Sequence, residues 1–195
     1  MHTIRRKLVA LIGVDGSGKT TVIDALLPAL SGSKKVCFHQ GFRPGYKPDP
    51  SRKIQNHAYK PRGALISILK ILFRALEWWW NYLLFCLPRL ISGHVVLCDR
   101  FYFDDILVDP LKYRYGAPEI IAKSLRTLLP LPEMYILLDA PVSILLSRKQ
   151  EAPVEEIERL RNAYLYFIQQ QPDGYIIDAS GPVNEVVEKV GNLIK

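Results

Sequence analysis

The chain has 195 residues, 49% of them hydrophobic and 23% charged, with a formal net charge of +7. That length suits one well-cored domain over 1–195, and the apolar content excludes a disordered chain. The basic balance points to an acidic partner (nucleotide, nucleic acid or anionic membrane) without choosing among them.

The basic lead Arg5-Arg6-Lys7 is followed by an apolar run, Leu8–Ile12, that ends within a few residues. It reads as a buried strand and not as a signal peptide. Directly after it comes Gly13-Val14-Asp15-Gly16-Ser17-Gly18-Lys19-Thr20, a full match to G-x-x-x-x-G-K-[ST]. Then Val22, Ile23, Leu26, Leu27 and Leu30 recur at helical spacing, predicting a helix over Thr20–Leu30. Strand, glycine loop and helix together form a polyphosphate cradle. Its N–H groups and the helix N-terminus face the anion. Lys19 reaches the β- and γ-phosphates and Thr20 holds Mg²⁺, with Thr21 beside it.

A second strand is predicted over Lys35–His39. Behind it the segment 34–62 is basic and proline-broken, which mostly describes solvated loop. Arg43 stands out because it lies just past a strand end, where parallel sheets collect ligands. Ala64–Leu87 reads as a long helix. Lys70, Arg74, Glu77 and Asn81 share one face, predicting a helix buried on most sides with one wet stripe and not a membrane span. His94–Cys98 is the third strand and runs into Asp99-Arg100-Phe101-Tyr102. A carboxylate at that position organises Mg²⁺ through water, and an adjacent arginine forks onto a phosphate.

Helices are then predicted over Ala117–Leu129 and from about Pro141, and strands over Met134–Leu138 and Gly174–Ile177. The three cysteines, Cys37, Cys86 and Cys98, have neither disulfide nor zinc spacing, which predicts a reducing, cytoplasmic setting. Alternating elements predict an α/β fold, a five-stranded parallel sheet with helices on both faces. No recognition helix or stacking motif points to nucleic acid.

Three stretches together resemble the thymidylate kinase family: Asp15 through Thr21, Arg43-Pro44-Gly45, and Asp99-Arg100-Phe101-Tyr102. The likeness extends through Tyr135–Pro141, Arg148–Leu165 and Tyr175–Ser180, and is poorest over 40–90. It implies a three-layer P-loop kinase fold with a short lid near 147–153 and an acceptor region near 40–116. ATP and Mg²⁺ would be the cofactors, with small nucleotides as substrates; dTMP is the first acceptor to try, and a homodimer is compatible. Asp15 would meet the acceptor's 3′-hydroxyl, Arg43 and Arg100 its phosphate, with Tyr102 nearby. Arg148, with Lys149, would close over the transferring group, and Ser180 would lie by the donor base.

The family's thymine-holding aromatic and arginine correspond to Phe73 and Arg74, here adjacent, and a gapless count puts Trp78 at the base-reading position. Residues 104–116 do not match a thymidine-reading segment. A nucleoside, sugar or other alcohol as acceptor, or a non-catalytic nucleotide-binding module, are the alternatives.

Overall fold

The computed structural model describes residues 7–30, 34–36, 60–149 and 153–194. Five strands form one parallel sheet: β1 (Leu8–Ile12), β2 (Lys34–Val36), β3 (Val96–Asp99), β4 (Met134–Asp139) and β5 (Gly174–Asp178). Their spatial order is β2-β3-β1-β4-β5. The helices are α1 (Lys19–Leu26), α2 (Ala64–Asn81), α3 (Leu87–Ile91), α4 (Tyr102–Val108), α5 (Glu119–Arg126), α6 (Val142–Arg148), α7 (Val154–Gln169) and α8 (Val183–Ile194). The expected five-stranded parallel sheet with helices on both faces is present.

Strand periodicity explains the layers. Leu8, Ala10 and Ile12 pack on one face with Ile71, Phe101, Tyr164 and Phe167. Val9 and Leu11 pack on the other with Val22, Ile23, Val186 and Val190. Because β1, β3 and β4 are covered on both faces, their sequences are apolar up to the aspartates that end β3 and β4. The register pairs Leu11 with Asp99 and Asp139 with Asp178. Strand ends carrying the polar residues therefore line up along one edge of the sheet. The chain leaves β1 toward β2 on one side and later crosses from β3 to β4 on the other, and this reversal opens a crevice at that edge.

Two expectations need correction. The helix after residue 63 does not run unbroken to Leu87. It passes through a π-turn at Tyr82–Cys86 before α3. Pro88 lacks an N–H and crowds the carbonyl four residues back, and the wider turn accommodates it. The burial of α2 is also the reverse of the predicted one. Only Ser67, Ile71, Ala75 and Trp78 are buried. Leu65, Ile66, Leu69, Phe73, Leu76 and Trp80 are 58–71% exposed. The stripe of Lys70, Arg74, Glu77 and Asn81 is half-buried, flanking the seam. No helix among the described residues is long and apolar enough to cross a membrane. Helix α4 was not predicted at all, and the second strand's predicted end, with Cys37, lies outside the described residues.

Candidate active site

The glycine loop turns tightly between β1 and α1. Gly13 has φ 141° and Gly16 φ 91°. A Cβ on Gly13 would sit 2.6 Å from the Leu138 carbonyl, and one on Gly16 2.9 Å from that of Leu145. Any other residue at either position would lift the loop off β4 and α6. The loop closes with Ser17 N donating to Val14 O at 3.1 Å, and Gly18 opens α1.

Lys19 does not project outward. Its Nζ donates to Gly13 O (3.0 Å), Val14 O (2.8 Å) and Ser17 Oγ (3.1 Å). Burial pushes its pKa down to about 7, helped by Arg100 and opposed by Asp15, Asp99 and Asp105. Thr20 Oγ1 donates to Asp99 Oδ2 at 2.7 Å. Two oxygens thus stand side by side at the mouth of the loop. They suit a hard cation that keeps most of its water and takes its remaining ligands from phosphate.

Arg100 follows at the tip of β3 with φ 71°, a left-handed conformation rare for a non-glycine residue. Its N donates to Leu11 O at 3.1 Å, anchoring the turn to β1. Its guanidinium is 7% exposed as a residue. Nη2 pairs with Asp15 Oδ1, and Nη1 donates to Tyr164 Oη at 2.7 Å. Tyr164 Oη and Tyr113 Oη both donate to Asp105, at 3.0 and 2.9 Å. Burial pushes the Arg100 pKa down, but Tyr164, Asp15 and Asp105 outweigh it and hold it well above the ordinary range. Burial pushes the Asp15 carboxyl up, yet Arg100, Lys112 and Lys19 hold it far below the usual carboxylate range. Asp15 is therefore an anion at any working pH. A cleft opens here, walled by Val14, Asp15, Arg100, Lys112, Tyr113 and Tyr164.

The other predicted residues are placed as follows. Arg148 ends α6 and donates to Ala179 O (2.8 Å) and Ser180 O (3.3 Å). In this structure it braces the loop after β5. Lys149 lies beside Gly16. Arg43 lies outside the described residues.

The expected base-reading trio is not gathered in the described cleft. Trp78 is 3% exposed, its Nε1 donating to Pro130 O at 3.0 Å and its ring edge-on to Phe101 at 5.2 Å. It is a core residue, because its position continues the Ile71 and Ala75 stripe. Phe73 is 65% exposed, on the opposite side of α2. Arg74 pairs with Glu77 at 2.6 Å and caps the Tyr102 ring at 5.4 Å. Tyr102 is buried and meets Tyr113 edge-on at 5.2 Å.

Sequence reading missed Asp105, Asp109, Lys112, Tyr113 and Tyr164. The available signal was three acids, Asp104, Asp105 and Asp109, inside an apolar run; buried carboxylates require cations or hydroxyls near them.

The thymidylate kinase family model matches residues 12–190. The probable thymidylate kinase 1 of Saccharolobus solfataricus is 27% identical over 97% of each chain. The probable thymidylate kinase of Archaeoglobus fulgidus is 30% identical over 96% of this chain and 94% of its own. Among solved structures, the thymidylate kinase of Candida albicans superposes with a TM-score of 0.66 at 18% identity, over 97% of this chain and 91% of that one. That of Ehrlichia chaffeensis superposes with a TM-score of 0.62 at 20% identity, over 97% and 98%. With a full phosphate loop, an aspartate and arginine at the next strand end, and this match over nearly its whole length, the chain belongs to the thymidylate kinase family and is a P-loop phosphotransferase.

Proposed function

We propose that this protein transfers the γ-phosphoryl group of ATP to a nucleoside monophosphate, with dTMP as the acceptor. The observation that carries the reading is the convergence of Lys19, the Thr20–Asp99 pair and the buried Arg100 on one crevice. Phosphoryl transfer needs alignment and charge neutralisation more than covalent chemistry from the protein.

ATP would lie along the loop from Gly13 to Thr21. Lys19 would exchange its loop carbonyls for β- and γ-phosphate oxygens. Thr20 and Asp99 would hold Mg²⁺, which when bound neutralises charge on those phosphates. Arg148 and the backbone at Ser180 would border the donor base. Arg100 and Arg43 would grip the acceptor's phosphate, leaving Asp15 to orient its hydroxyl. Arg74 would act on the acceptor by holding Tyr102 and, through it, Tyr113. Lys149 would approach the donor phosphates from the start of a short lid over 147–153, in a single domain whose acceptor part spans about 40–116. The setting is cytoplasmic, where Cys86 and Cys98 stay buried thiols. The working assembly is a homodimer built on the exposed apolar face of α2.

The test is ATP consumption against a panel of nucleoside monophosphates, nucleosides and sugars. Turnover is expected with dTMP and dependent on Mg²⁺. Faster phosphorylation of an unphosphorylated nucleoside or sugar than of any monophosphate would sink the reading.

A further inference from the structure

The turn from Asp109 to Gly116 is held more tightly than a connection between two helices requires. Asp109, 2% exposed, accepts from Lys112 N at 3.3 Å and from Arg159 Nη2 at 3.1 Å. Arg62 grips the other side, its N donating to Arg114 O at 3.0 Å and its Nη1 to Tyr113 O at 2.8 Å. Gly116 N donates to Ser67 Oγ at 3.0 Å, and a Cβ there would run into the Arg62 carbonyl. Arg114 is left-handed at φ 53°. These fixings come from two other parts of the chain, residues 62–67 and Arg159, and Tyr113 and Lys112 line the cleft.

Lys112 Nζ donates to Asp15 Oδ2 at 3.0 Å, while Arg100 holds Asp15 Oδ1. One carboxylate therefore spans an ammonium and a buried guanidinium. A phosphate monoester offers two oxygens to the same kind of fork. The protein's own carboxylate thus stands where a substrate anion can bridge the same two cations. Arg100 also has Asp105 at 3.9 Å, and an arriving anion that takes the place of Asp15 keeps the charge balance of this buried guanidinium.

We infer that Lys112 is a specificity-determining residue that receives the acceptor's phosphate together with Arg100. Asp15 holds the two cations in place until that phosphate arrives, and is then released toward the acceptor's hydroxyl. This rests on the monophosphate-acceptor reading above. It selects a phosphate dianion over a neutral alcohol of the same shape.

Calorimetric binding of dTMP and of thymidine separates the possibilities. In Lys112→Met, dTMP affinity should fall about tenfold or more, with thymidine and ATP affinity unchanged. Lys112→Arg, which keeps the charge, should recover most of the loss. A Lys112 that only holds Asp15 in place would weaken thymidine as much as dTMP; equal losses, or no loss, overturn the proposal. If the wild type binds neither compound, the dTMP reading fails separately. Inorganic phosphate then decides on Lys112, in a Lys19→Ala background that silences the glycine loop. About tenfold weaker phosphate binding in Lys112→Met upholds the assignment, and unchanged or absent phosphate binding overturns it.

Discussion

Lys19 begins the cycle partly deprotonated at physiological pH, because burial has brought its pKa down to about 7. Phosphate oxygens favour the charged form, so nucleotide binding raises that pKa. The sign follows directly. Above pH 7 the empty site is mostly deprotonated and ATP binding takes up a proton; below about pH 6 the uptake vanishes. Calorimetry in buffers of different ionisation enthalpy at pH 8 and pH 6 reads this uptake. Lys19→Ala should cost about 3–4 kcal/mol of transition-state stabilisation while leaving the fold intact. Wild-type-like kcat in that variant would remove Lys19 from the mechanism. For Asp99→Asn, the Mg²⁺ concentration giving half-maximal rate should rise about tenfold or more, since the anion that orders the metal's water shell is gone. An unchanged titration would show that Thr20 and Asp99 do not serve a cation.

At the scale of elements, α4 decides how the cleft beside Arg100 is built. It is short, buried on nearly every side, and carries two adjacent acids with different partners. Asp105 turns to Arg100 and the two phenols, while Asp104 turns away to pair with Arg126 of α5. Burial pushes the Asp104 carboxyl up to about 6, with Arg126 pulling it back down. Asp104→Ala would leave Arg126 without its buried partner and should destabilise the protein by about 3–5 kcal/mol in urea unfolding. A loss under about 1 kcal/mol would mean that α4 is held by packing alone.

This element also marks where sequence reading stops. The glycine loop, β1 and Asp99 were legible because a local pattern specifies local geometry. Lys112 was not, since its meeting with Asp15 joins residues 97 apart in sequence through a turn pinned by Arg62, Ser67 and Arg159. Trp78 was misplaced for a related reason. An aromatic residue on an apolar helix reads the same whether it faces a cleft or Pro130, and only the position of β3 behind it distinguishes the two.

On the scale of the whole molecule, the outer side of α2 is a broad exposed apolar surface among the described residues. Leu69 and Leu76 lie two turns apart on one stripe and are 58% and 71% exposed. A monomer seldom leaves so continuous an apolar band in water. The stripe also suits self-association, because two identical helices can bury it reciprocally around a two-fold axis. Light scattering of the wild type should return twice the chain mass of 22.3 kDa. Leu69→Lys with Leu76→Glu should return a single chain that keeps its helical circular dichroism. A wild type that stays monomeric at tens of micromolar would leave the band to some other partner.

The inward posture of Lys19 bears on how a turnover ends. A phosphoryl-transfer enzyme converts a loosely charged acceptor into a more highly charged product, and letting go is then harder than taking hold. Here Lys19, proposed to grip the donor, has three oxygens of its own loop at 2.8–3.1 Å. Each contact it loses to the departing nucleotide can be remade within the protein, which offsets part of the cost of separating opposite charges. The glycine loop therefore serves departure as well as arrival, and nucleotide dissociation is the step whose rate should depend most on those carbonyls.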